Sequence, residues 1–167
     1  MCARAEEPKS SRVRLSHSGR YGVRLVELGE GKCRLEVLKE DAPHWTLERC
    51  VGTADDLYFA SDDGEKVWVL YTLPKKPVRR PSRKAKRAAW TYAVVAARYG
   101  RDGEADRRLV LNQLMRTRES LEDVRQYEKH FKWLEGVAGV RGIPPKLNEQ
   151  GKVELVTLDH KTHTLEF

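Results

Sequence analysis

Three cysteines offer the first possibility of chemistry in this sequence. Cys33 and Cys50 both fall in segments that alternate apolar and charged residues, as half-buried strands do. The two segments are expected to be neighbours in one sheet, so a disulfide between Cys33 and Cys50 is predicted. Closing that loop would stabilise the fold by about 3 kcal/mol, because the bond lowers the conformational entropy of the unfolded chain. Two reduced thiols packed in the core are the alternative.

The third cysteine, Cys2, has no predicted partner and precedes a polar stretch, residues 3–12. We interpret Cys2 as a candidate for lipidation at the first residue of a mature bacterial lipoprotein, with residues 3–12 as the tether. This interpretation favours the bacterial periplasm or envelope, where disulfides persist. The alternatives are a cytosolic protein with reduced thiols and a eukaryotic nuclear protein.

Positive charge is concentrated in one stretch, residues 75–87, called here the basic segment. The chain has a net charge of +7, and without this segment it would carry about −1. Prolines within and beside the segment exclude a helix or a central strand, so we predict an exposed connector whose cations face nearby acidic loops. The same cations are the candidate anion-binding residues: Lys75, Lys76, Arg79, Arg80, Arg83, Lys84, Lys86 and Arg87.

Other polar groups lack the spacing that catalysis or metal binding requires. His160 and His163 have Asp159 beside them, but a spacing of three along a strand places the two imidazoles on opposite faces. No Gly-x-Ser-x-Gly motif is present. The acidic residues around 55–65 match no calcium loop and are interpreted as a solvated rim. No catalytic residue, cofactor or metal site is predicted.

Most of the chain has the period-two pattern of strands joined by turn residues. The predicted hairpins pair 21–28 with 33–38, 57–60 with 66–71, and 153–158 with 163–167, with a further hairpin over about 89–111 and a strand at 45–51. No stretch reaches the roughly 18 apolar residues of a membrane-spanning helix.

One helix is predicted, from about Ser120 to Glu135. Ser120 can cap its N-terminus, and Gly136 follows its end. Its apolar residues recur at spacings of three or four and form one stripe: Leu121, Val124, Tyr127, Phe131 and Leu134.

These elements predict an α+β fold made mainly of antiparallel β-hairpins, with one amphipathic helix packed on a sheet. Residues 1–12 are expected to be a flexible tail, and 13–167 one β-rich domain with an exposed basic connector at 74–88. The expected function is a non-catalytic binding or scaffolding domain, with a protein partner, in a bacterial envelope complex. One alternative is binding of nucleic acid or of an anionic surface through residues 75–87. The other is an enzyme whose site gathers His44, His130 or His160 with carboxylates in three dimensions.

Overall fold

The computed structural model describes residues 8–79 and 82–167. Cys2 and Arg80 lie outside the described residues, as does most of the predicted tail. The first sheet contains β1 (Lys9–Ser10), β2 (Arg14–Leu15), β3 (Tyr21–Gly29), β4 (Lys32–Lys39) and β5 (Ala42–Leu47). Its order is β1-β3-β4-β5, and β2 also pairs with β3. The predicted hairpin of 21–28 with 33–38 is confirmed.

The strand predicted at 45–51 is β5, which begins earlier, at Ala42. Cys50 lies in the loop that follows β5 rather than in a strand. The reason is the turn before β5. Glu40 and Asp41 both have positive φ, 50° and 66°, as in the two-residue turns that match the twist of a hairpin. The chain therefore reverses at once, and pairing resumes at Ala42.

The second sheet is an antiparallel meander of β6 (Leu57–Ala60), β7 (Val67–Leu70), β8 (Val94–Tyr99) and β9 (Ala105–Val110), in that order. Both predicted hairpins in this region are present, although Ala89–Tyr92 form a 3₁₀ turn before β8 rather than its beginning. All four residues of β7 are buried, which indicates that this sheet is covered on both faces.

The predicted amphipathic helix over 120–135 is wrong. The structure has two short helices, α1 (Leu111–Leu114) and α2 (Arg118–Glu122), followed by the two-stranded sheet of β10 (Arg125–Gln126) and β11 (Phe131–Lys132). Phe131 and Trp133 are both fully buried. Residues two apart share a face in extended backbone, so the chain of β11 and the residue after it can direct both rings into the core. Of the predicted stripe, all but Tyr127 are buried.

The third sheet contains β12 (Lys146–Leu147), β13 (Val153–Val156) and β14 (Thr162–Leu165). The pairing of β13 with β14 confirms the hairpin predicted for 153–158 with 163–167. The second sheet is the middle layer. One of its faces packs with the first sheet, through Tyr58, Val67, Val69 and Tyr99, among others. Its other face packs with α1, α2, β11 and the third sheet, through Trp68, Leu70 and Val95, among others. No helix within the described residues is long and apolar enough to span a membrane.

Candidate functional site

The start of the basic segment is attached to the β10–β11 hairpin. Lys75 forms an isolated antiparallel bridge with His130, and the amide of Lys76 donates to the carbonyl of Lys129 at 2.8 Å. The amide of Phe131 donates to the carbonyl of Pro74 at 3.2 Å. Residues 74–76 are therefore an added strand-like edge, and of the described residues after them, 77–79 and 82–87 have the irregular backbone of a connector.

The end of the segment is attached to the start of α2. The guanidinium of Arg87 donates to the carbonyl of Arg116, which lies in the turn between α1 and α2. Trp90 follows and packs edge-on against Phe131, with ring centroids 5.8 Å apart. Both ends of the basic segment are thus held on the same side of the second sheet as β11.

The cations of the basic segment are not matched by acidic groups. None of the seven that the structure describes forms an ion pair within 4.0 Å of a described carboxylate. They are Lys75, Lys76, Arg79, Arg83, Lys84, Lys86 and Arg87, and all but Lys76 and Arg87 are largely exposed.

The acidic loops that were expected to face these cations have other partners. Asp55 pairs with Lys9 at 2.8 Å, and Asp62 accepts from the amide of Ser18 at 2.7 Å. Glu65 pairs with Arg101 at 2.8 Å, and this contact lowers the pKa of Glu65. The expectation that acidic loops balance the basic segment is therefore wrong for the described residues.

A cleft of about 680 Å³ opens beside β8, and two of its polar side chains, Asp56 and Tyr71, have structural hydrogen bonds. Asp56 accepts hydrogen bonds from the amide of Thr53 at 2.8 Å and the amide of Thr72 at 3.0 Å. The hydroxyl of Tyr71 donates to the carbonyl of Val51 at 2.8 Å, and burial raises its pKa. The Asp56 carboxylate also contributes to the raised pKa of Tyr71.

A second concavity, the strand-edge groove, lies between the second and third sheets and has a volume of about 640 Å³. Its lining combines residues from β9, α1 and β14 with Arg116 and Lys161. His163 also lines it, and burial lowers the pKa of this imidazole, with Arg116 and Lys161 acting in the same direction. Burial therefore favours the neutral form of His163.

The histidines considered for metal binding or catalysis do not converge. His160 pairs with the buried Glu135, Nδ1 to Oε1 2.6 Å, whereas His163 contacts the hydroxyl of Thr157 at 3.1 Å. His44 contacts Arg101, and the ring of His130 stacks on Tyr127. Within residues 8–79 and 82–167, no group of three His, Cys, Asp or Glu residues could hold a metal ion.

Cys33 and Cys50 form a disulfide in the structure, with their Cα atoms 4.7 Å apart. The bond joins β4 to the loop after β5. Cys33 belongs to the core between the first and second sheets. The disulfide therefore attaches the loop after β5 to a core residue of β4.

Sequence reasoning missed the groove cations Arg107, Arg116 and Lys161. They are far apart in the chain and each stands among ordinary surface residues, so no local pattern marks them. The one available signal was Arg107–Arg108 in the strand that returns from the third predicted hairpin. Comparison with family models, curated proteins and solved structures finds no match.

Proposed function

We propose that this protein is a non-catalytic binding domain that docks an acidic protein partner through its basic segment, as a scaffolding component of a bacterial envelope complex. The observation that carries the proposal is the set of seven described cations without an ion pair, held at both ends on a body whose acidic loops are paired elsewhere. Unpaired surface cations raise the rate of encounter with an acidic partner and favour the correct orientation.

The Cys33–Cys50 disulfide supports an oxidising compartment for this binding domain. Alkylation of the native protein with and without a reductant tests this part of the proposal. Both thiols should be protected when the protein is purified from its own compartment and should react after reduction. A freely alkylated Cys33 in that material would argue for a reducing compartment.

The main test changes Arg79, Arg80, Arg83 and Lys84 to Gln and measures binding to polyglutamate, duplex DNA and anionic lipid vesicles over a range of salt concentrations. The expected result is binding to polyglutamate that weakens in the variant. A matched control removes exposed cations elsewhere, by changing Lys32, Lys39, Arg141 and Lys146 to Gln. An equal loss in the control would show that net charge alone is responsible, and no binding to polyglutamate would contradict the proposal.

Nucleic acid is the second candidate ligand, and Tyr127 favours it. This ring is 43% exposed on the hairpin that holds the start of the basic segment. Lys132 lies over it, 5.4 Å from the ring centroid. Exposed rings beside cations bind single strands by base stacking. Sub-micromolar, charge-dependent binding to DNA or RNA at about 150 mM salt, lost on Tyr127→Ala, would place this function first.

A further inference from the structure

Two sheets end beside the strand-edge groove. Within the described chain, β9 pairs only with β8, and β14 pairs only with β13. The outward backbone amides and carbonyls of such edge strands can pair with another extended chain. α1 begins directly after β9, so the open edge of β9 has the length of its 6 residues.

The groove has an apolar floor and a cationic rim. Leu109 and Leu165 are buried in its floor, while Arg107, Arg116 and Lys161 are exposed around it. No carboxylate lines the groove. Arg107 and Leu109 are two residues apart on β9 and therefore share a face, so side chains of an added strand on that face would meet both a cation and a leucine.

Two carboxylates act on this lining: Asp159 favours the charged form of His163, and Arg107 contributes to the lowered pKa of Glu166. Glu166 lies at the end of β14, but its carboxylate pairs with Lys152 at 2.9 Å. The carbonyl of Glu166 accepts from the indole of Trp68 at 3.0 Å, which fixes the end of β14 against the second sheet. The end of β14 is thus anchored beside the groove, and the described lining contains cations and no carboxylate.

We propose that the strand-edge groove binds an acidic segment of the partner in extended conformation, added as a strand to the open edge of β9. Main-chain hydrogen bonds to β9 supply affinity. Arg107 and Lys161 select glutamate or aspartate among those side chains of the bound segment that point to their face. This proposal rests on the proposed function, because it specifies how the acidic partner is held. The contact of Arg87 with Arg116 places the basic segment next to the groove, so one acidic chain can reach both.

The test uses short capped peptides in which glutamate alternates with valine, and measures their affinity for the full chain at pH 7. Arg107→Gln combined with Lys161→Gln should weaken binding at least about tenfold. N-methylation of alternate peptide amides should weaken it similarly, because the charges remain while the donors to β9 are lost. Amide hydrogen exchange over β9 should slow when the unmodified peptide binds.

The controls separate this proposal from the proposed function. A peptide with lysine in place of glutamate should not bind, and Lys161→Gln alone, at an exposed turn position, guards against a folding defect in the double variant. Binding that survives N-methylation and Arg107→Gln/Lys161→Gln, but falls when Arg83 and Lys84 are changed to Gln, would overturn strand addition and leave the proposed function intact. Absence of peptide binding would overturn strand addition as well. The charged edge would then serve only to prevent edge-to-edge association.

Discussion

The first sheet and the region of residues 111–147 both bury large apolar side chains, but they hold them with different kinds of backbone. In the first sheet, β3 and β4 are long strands, of which β4 alternates buried and partly exposed residues, and a disulfide joins β4 to the loop after β5. In residues 111–147, each helix or strand has 2 to 5 residues. Single anchors take the place of ladders there, such as the indole of Trp133 donating to the carbonyl of Tyr71 at 2.7 Å. Long elements therefore distribute stability over many contacts, whereas short ones concentrate it in a few side chains.

The largest expected effect follows from that concentration. Phe131→Ala should lower the free energy of unfolding by about 3 to 5 kcal/mol, because Phe131 is fully buried and leaves a cavity. Trp133→Ala should cost a similar amount. Tyr127→Ala is the matched control on the same hairpin and should cost less than about 1 kcal/mol, since half-exposed side chains lose little burial. Chemical denaturation measures all three, and a loss below about 1 kcal/mol for Phe131→Ala would show that residues 111–147 do not depend on this anchor.

Removal of the disulfide tests the other side of the comparison. Changing Cys33 and Cys50 to Ser should cost about 3 kcal/mol, because the unfolded chain regains the entropy of the closed loop. The wild-type protein in reductant should lose the same amount, and Cys2→Ser should lose none. A reductant-independent midpoint of unfolding would mean that the ladders of the first sheet suffice without the bond.

The contrast between long and short elements also explains which parts of the fold could be predicted from the sequence. Alternation and turn residues correctly predicted the hairpin of β3 and β4 and those of the second sheet, because each strand is paired with its neighbour in sequence. The spacing of Leu121, Val124, Phe131 and Leu134 correctly marked buried positions but wrongly indicated a helix. Short strands carry too few residues to show a period of two, and Trp133, an aromatic residue off the predicted stripe and two positions from Phe131, was the contrary signal in the sequence.

The candidate site was predictable only in part, for a related reason. The basic segment is contiguous, so composition alone identified Lys75 to Arg87. Its attachment to His130 and Arg116 depends on the packing of residues 111–147 and has no local sequence pattern. The strand-edge groove likewise joins Arg107 to Lys161 across two sheets.

A smaller effect is expected at the start of α2. The hydroxyl of Thr117 accepts from the amide of Ser120 at 3.0 Å, which caps the helix. Thr117→Ala should cost about 1 kcal/mol, and Thr117→Ser should restore most of it, because the serine hydroxyl caps equally well. Thermal unfolding of the two variants provides the comparison. Equal unfolding temperatures of Thr117→Ala and Thr117→Ser would show that α2 is held by packing of Leu121 rather than by its cap.

The smallest effect concerns Asp106, on the sheet that both cores share. Its carboxylate contacts Arg98 at 2.8 Å and Lys66 at 2.7 Å, and hydrogen bonding to Arg98 is the main reason that its pKa falls to about 2. A carboxyl with a lowered folded-state pKa stabilises the fold above its ordinary value of 3.8, and that contribution is lost as the pH falls towards 2. The side chain is 36% exposed, so solvent screening limits the gain to less than about 1 kcal/mol. Asp106→Asn should therefore be slightly less stable than the wild type at pH 7, and the difference should vanish near pH 2. A difference for Asp106→Asn that persists unchanged to pH 2 would assign the effect to packing rather than to charge.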